Sequence, residues 1–290
     1  MIQTRPYEFM VKYTPQKDWI EGAGVLIAIA FFLGGVCGGL YLASLYFDSM
    51  LGMFIAWLLA LLMGIIDMGH LSKPLRFWRM ILKPNTSWIS RGFILIWLFI
   101  GCALIQLALS YWAPGTVETV FKVLAGIMAF GVAIYSGFVV GYVGAIKLWN
   151  SAIVPILFVI AGLTGGLAIL LMTSLGSNTA RSMAMANMML IVVIVYTIFM
   201  AIYLWVATYS SDVARDSVMR ILRGSIAVVF WIGVVLLGMI IPIALLATNS
   251  ATGASAALMI TAAICAIIGG VALRYIILKA GMYSPLVPAE

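Results

Sequence analysis

Eight stretches of this chain are apolar for about twenty residues or more, and the polar and charged residues collect in the short segments between them. Runs of that length suit a helix crossing a hydrocarbon layer ~30 Å thick at about 1.5 Å per residue. Their continuous apolarity argues against barrel strands, which alternate apolar and polar positions over about ten residues. The predicted spans are Ile20 to Phe47, Leu51 to His70, Phe93 to Tyr111, Val117 to Lys147, Ala152 to Leu175, Met183 to Tyr209, Ile226 to Ala247 and Ala254 to Leu278. Short turns such as APGT, GSNTA and TNSATG join neighbours. The fold expected is an all-α integral membrane protein, its eight transmembrane helices arranged as two four-helix bundles, residues 1–150 and 151–290.

The two halves echo each other. GGVCGG, Gly34 to Gly39, lies midway along the first span, and GLTGG, Gly162 to Gly166, midway along the fifth. Small residues at this spacing let backbones approach, so close helix packing is the expected use. The first twenty residues hold Arg5, Glu8, Lys12, Lys17 and Asp18 and lack an apolar core, so no cleavable signal is expected and the first span stays in the membrane. An even number of spans puts both termini on one side, here called the first face.

Composition and charge sharpen this picture. With 65% hydrophobic and only 9% charged residues in 290, too little polar surface remains to solvate a globule. Arg5, Lys12, Lys17, Lys73, Arg76, Arg79, Lys83, Arg91, Lys147, Arg215, Arg220, Arg223, Arg274 and Lys279 fall toward the first face, and only Lys122 and Arg181 toward the opposite one. The positive-inside bias makes the first face cytoplasmic in a multi-pass protein of the cell (inner) membrane. A basic face equally suits an acidic protein partner whose attachment weakens with salt.

Some chemistry is excluded by residue type. Cys37, Cys102 and Cys265 lie singly in different spans, without a CxxC or CxxCH, so no zinc or iron–sulfur centre is expected. The one histidine, His70, cannot supply the facing pair of a bis-histidine haem. The deep interior offers Gln106, Asn187, Tyr135 and scattered Ser and Thr but no central carboxylate or lysine, so no complete carboxylate wire across the membrane is expected. Pro155 and Pro242 fall toward the ends of their predicted spans, where they kink a helix at most.

The densest polar feature is DMGHLSKPLRFWRMILKPNTSWISRG, from Asp67 to Gly92. It holds the only histidine, one of nine acids and five of sixteen basic residues. Such a segment between two spans reads as a built surface, a docking face over a site, in which Arg76, Trp78, Arg79, Lys83 and Arg91 hold the loop and its partner. Arg274, near the end of the last span, reads as snorkelling to the interface.

That stretch, together with FFLGGVCGGLYLAS in the first span, YSGFVVGY in the fourth and the pattern from Arg223 through FWIGV to Pro242, resembles the polysulfide reductase membrane-subunit family, also called NrfD-like. The resemblance covers nearly the whole chain. Its most specific part is the aspartate, glycine, proline, arginine, tryptophan and asparagine–proline pattern, with the final pair inverted here as Pro84 then Asn85. It implies an eight- or ten-span anchor that binds a quinone (menaquinone or ubiquinone) and carries no haem, flavin or metal of its own. Its implied partners are a ferredoxin-like iron–sulfur subunit and, through it, a molybdopterin catalytic subunit. It further implies Tyr135 as hydrogen-bond partner of a quinone oxygen and Asp67 as a proton-exchanging group, with His70 three residues on to pass protons outward.

The residues themselves allow the same site. Asp67 ends the second span and Tyr135 lies in the second half of the fourth, both toward the first face. A quinone needs donors to its oxygens, a proton route and an apolar channel for its tail. Duller uses stay open: Tyr135 donating to a carbonyl one turn back, Asp67 paired with Arg76 or Lys73, His70 solvated at the interface. Family members often carry a histidine or other polar group early in the first span, and GAGVLIAIAFF has none, leaving Asp18 or Glu21 as substitutes from the interface. The rival readings are a substrate transporter, with a polar midplane cavity and broken helices, and a structural anchor without a quinone site.

Overall fold

In a computed structural model the protein is described over residues 13–69, 74–175, 179–253 and 255–285. Arg5, Lys12, His70 and Lys73 lie outside the described residues. Eight helices are long and apolar enough to cross a membrane. They are α1 (Val25–Tyr46), α2 (Met50–Gly69), α3 (Trp88–Trp112), α4 (Thr116–Gly141), α5 (Ile153–Ser174), α6 (Thr179–Ser210), α8 (Val229–Thr252) and α9 (Ala256–Ala280). The shorter α7 (Asp212–Arg223) joins the sixth and seventh spans at the first face, capped by Ser211, whose Oγ accepts from Ala214 N at 3.2 Å. Its Val213, Ala214, Val218 and Ile221 are buried while Arg215 and Arg223 are exposed, the pattern of a helix lying along a surface.

Four spans depart from the sequence-based boundaries: the third begins at Trp88 instead of Phe93, the sixth at Thr179 instead of Met183, and the fourth and seventh end elsewhere than expected. The fourth ends at Gly141, short of Lys147, because the apolar run beyond it is buried in protein instead of lipid. There Trp149 donates its indole N–H to Ile277 O at 2.6 Å, Ile146 bridges to Tyr283, and Ser284 N donates to Ala145 O at 3.0 Å. The seventh runs on to Thr252, so Pro242 sits inside it and not toward its end. Residues Val229–Ile240 wind as a π-helix, and Ile241 N–H donates five residues back to Leu236 O. Pro242, next in line, has no N–H to give, and the wide winding carries the backbone past it without a break.

At the centre stand α1 and α5, 61% and 67% buried, the highest shares of the eight. Their two glycine runs lie on each other. A Cβ on Gly39 would run into the carbonyl of Gly162, one on Gly162 into the carbonyl of Gly35, and one on Gly166 into Leu40 N. Around this seam α1 packs against α2 and α4, α3 against α4, α5 against α6 and α9, and α9 against α8.

The first face is closed by backbone pairing between distant segments. β1 (Thr14–Pro15) pairs antiparallel with β2 (Met282–Tyr283). Gln16, fully buried, donates through its side chain to Leu278 O and accepts from Trp19 N at 3.1 Å. Lys279 Nζ reaches Glu21 Oε1 at 3.0 Å and holds that exposed carboxyl below its usual range.

We expect Gly162→Leu to destabilise the protein by about 1–3 kcal/mol or more through overpacking. Gly101→Ala, where a methyl group meets nothing within 4 Å, should leave the thermal midpoint unchanged. Fluorescence-detected size exclusion after heating reads both, and equal midpoints for the two variants would remove the seam's special role.

Candidate functional site

Tyr135 lies six residues before the end of α4, about 9 Å inside the first face by helical rise. Its ring sits among three other spans. A Cβ on Gly92 of α3 would strike the ring, and one on Gly34 of α1 would lie 3.7 Å from Cε1. The same point on Gly34 lies 3.0 Å from Met63 Sδ of α2, and Phe31 meets the ring edge-on at 6.4 Å. The ring is thus buried, but its hydroxyl bonds to no described residue, so the carbonyl one turn back does not hold it.

Asp67 sits one turn beyond Met63, near the first-face end of α2. It is half-buried, and among the described residues it has neither a hydrogen bond nor an ion pair, Arg76 included. Asp67 and Cys37 both lie within electrostatic range of Tyr135. The structure therefore brings Asp67 and Tyr135 together; His70 lies outside the described residues.

The loop above them is held from within. After a 3-10 turn over Pro74–Leu82, Arg91 folds back to donate from Nε to Pro84 O at 2.7 Å and from Nη2 to Asn85 O at 2.8 Å. Its guanidinium covers the Trp88 ring at 4.4 Å, and Trp88 in turn stacks on Phe138 of α4 at 4.3 Å with a 10° interplanar angle. Ser87 Oγ caps the start of α3 by accepting from Ser90 N. This stack fixes where α3 enters the protein, and Gly92 is the residue next to Arg91. Arg76, Trp78, Arg79 and Lys83 are instead exposed on the first face, Arg79 lying 5.5 Å over Trp78. Asp18 and Glu21 are exposed too, and Glu21 is engaged by Lys279 outside the site.

Two features were not anticipated. Arg274 does not snorkel: it is 1% exposed, donates from Nη2 to Phe158 O at 2.8 Å, and places its guanidinium 4.4 Å from the Phe158 ring centre. Gly35 opposite gives it room, since a Cβ there would come within 2.7 Å of Nη2. A lone cation near a span end gives no sequence signal of such a turn inward, because its partner glycine is far away in the chain. At the opposite face a polar relay runs from Tyr41 Oη to Gln106 Oε1 (3.1 Å), from Gln106 Nε2 to Ser110 Oγ (2.8 Å) and from Ser110 Oγ to Glu118 Oε1 (2.7 Å). It opens on a cavity of about 290 Å³ also lined by the Asp48–Lys122 ion pair. Beyond Tyr41 the relay meets the apolar ring of Phe99, set nearly perpendicular to the phenol at 5.1 Å.

Among the described residues no three His, Cys, Asp or Glu side chains gather as metal ligands would. The family model described as polysulphide reductase, NrfD, matches residues 23–285. The chain belongs to the NrfD family. It is similar to the C subunit of polysulfide reductase from Wolinella succinogenes, 25% identical over 296 residues that span 88% of this protein and 92% of that one. It is also similar to protein NrfD of Escherichia coli, 27% identical over 256 residues, spanning 78% of this protein and 80% of that one. This NrfD-family protein is thus a multi-pass membrane subunit of the type found in redox complexes.

Arg91→Met should leave two carbonyls without their donor and loosen the start of α3, at a cost on the order of 1–3 kcal/mol. Limited proteolysis near Lys83 should then speed up relative to the parent, and an unchanged cleavage rate would show that Trp88 and Ser87 suffice to hold the loop.

Proposed function

We propose that this NrfD-family protein binds a quinone beside Tyr135 and Asp67 and exchanges electrons between the quinone pool and an iron–sulfur partner docked on the first face. The observation that carries the reading is a buried phenol and a half-buried carboxyl, both without partners among the described residues, the carboxyl one turn beyond the Met63 that meets the phenol's niche at Gly34, beneath a basic loop. Intramembrane carboxylates are costly and are seldom left unpaired without a use.

These groups fit a quinone headgroup. A bound quinone supplies two-electron, two-proton chemistry that the protein's own residues lack. The Tyr135 hydroxyl donates a hydrogen bond to one quinone oxygen, and Asp67 holds or releases a proton at its carboxylate oxygens. His70, close after α2, passes that proton to the aqueous phase. Phe31 and Met63 shield the phenol from water. Residues 1–150 and 151–290 act as two four-helix units joined at the glycine seam, the first carrying the site.

The exposed Arg76, Trp78, Arg79 and Lys83 offer a basic, aromatic docking patch to an acidic, ferredoxin-like subunit, which passes electrons on to a molybdopterin catalytic subunit. The charge bias supports a cytoplasmic first face. The Wolinella succinogenes relative is named as one lettered subunit of its reductase, which supports an assembly of this kind.

Binding of a quinol-analogue inhibitor to the purified protein, followed by intrinsic fluorescence, tests the site. Tyr135→Phe and Asp67→Asn should each weaken binding by about tenfold, the worth of one hydrogen bond at roughly 1.4 kcal/mol, with folding retained. Unaltered affinity in both variants would move the site elsewhere. For docking, Arg76→Ala with Arg79→Ala should reduce both the affinity for the partner subunit and its dependence on salt, read by pull-down across a salt series.

A further inference from the structure

Arg274 and Tyr135 occupy the same depth on two faces of one helix, about 100° apart around it. Each lies six residues from the first-face end of its span, about 9 Å inside by helical rise. The edge of α1 lies between them: Gly34, with Phe31 one turn before it, faces the Tyr135 ring, and the next residue, Gly35, faces Arg274 Nη2. The contact distances at these glycines put the guanidinium and the phenol ring no more than about 13 Å apart. No side chain on Gly34 or Gly35 fills the space between.

The charge at Arg274 is not cancelled locally. Among the described residues no carboxylate pairs with it, and its Nε and Nη1 are buried without a hydrogen-bond partner. The neighbours it does have are the Phe158 carbonyl, the Phe158 ring and the Tyr196 phenol, whose hydroxyl is itself buried and without a partner. An arginine stays protonated in proteins, so the interior carries a standing positive charge. As a helix staple it is poorly chosen, since an apolar side chain would fill the same volume without the desolvation cost.

We infer that Arg274 acts on the quinone site through space, favouring negative charge on a headgroup bound beside Tyr135, with the glycine pair of α1 as the thin wall between them. The inference rests on the quinone reading above. Arg274 does not touch the headgroup, and its role is electrostatic positioning. The titratable groups facing the headgroup from its own side are Asp67 and Cys37, and on the arginine's side Tyr196. A unit charge at about 13 Å, in surroundings of effective dielectric near 20, changes the affinity for an anion by about tenfold and leaves that for a neutral ligand alone.

The test compares two probes on the full chain in nanodiscs: 2-heptyl-4-hydroxyquinoline N-oxide at a pH where it is ionised, and neutral decylubiquinone. Arg274→Gln should lose about tenfold in affinity for the anion while keeping the neutral probe within twofold, and Arg274→Lys, which keeps the charge, should retain both. Equal weakening of both probes in Arg274→Gln would make Arg274 a structural staple, and no change in either would remove it from the site; each result overturns the inference. Should Arg274→Gln fail to fold, Gly35→Ala, whose methyl group must push the guanidinium aside, should show a smaller loss confined to the anion, and an unchanged ratio of affinities there overturns the inference as well. If the parent protein binds neither probe, the quinone reading itself fails. If it binds both with dependence on Tyr135 and without selectivity from Arg274, that reading survives alone.

Discussion

Inside a bilayer, helices gain little by hiding apolar surface from one another, because the lipid is as apolar as they are; association rests on close packing. In this protein that packing is concentrated where α1 meets α5 through Gly35, Gly39, Gly162 and Gly166, with backbone set against backbone. Much else is referred to this seam. Gly34 and Gly35 set the walls of the tyrosine and arginine niches, and both niches open from the same turn of α1. A side chain at Gly39, Gly162 or Gly166, where backbone would be struck, would part α1 from α5 and shift both niches together.

The number and type of the elements were legible because hydrocarbon thickness fixes the length of a span and the apolar runs of the sequence meet it. The glycine echo was legible as a pattern, although that the two runs pack on each other required the fold. What composition could not supply was the difference between lipid and protein interior as surroundings for an apolar residue. The run from Tyr142 to Lys147 looks like more of the fourth span, yet Ile146 within it, and Leu148 and Trp149 just after it, are buried in protein. Arg274 was misread for the same reason: depth along a helix is written in the sequence, and the direction a side chain takes is not.

At the candidate site, Asp67 and Tyr135 could be named from the sequence, whereas Gly92 could not. Its partner is a ring 43 positions later in the chain, and its importance lies in having no side chain. The dense polar stretch turns out to serve two ends. Its outer part, through Arg76, Trp78, Arg79 and Lys83, faces water. Its inner part, through Arg91, Trp88 and Ser87, anchors the beginning of α3 and so brings Gly92 against the phenol.

The closure of the first face has a consequence for how the protein is made. Trp149 finds the acceptor for its indole at Ile277, 128 positions later, and Gln16 finds its own at Leu278 and Gly281, all in segments synthesised well after their donors. At a synthesis rate of about 5–20 residues per second, the first half waits on the order of ten seconds with these buried donors unmet. The early spans are therefore inserted long before they are finished, and α9 acts as a keystone: Tyr203 of α6 reaches Leu148 in the loop after α4 first, but the indole of Trp149 waits for α9.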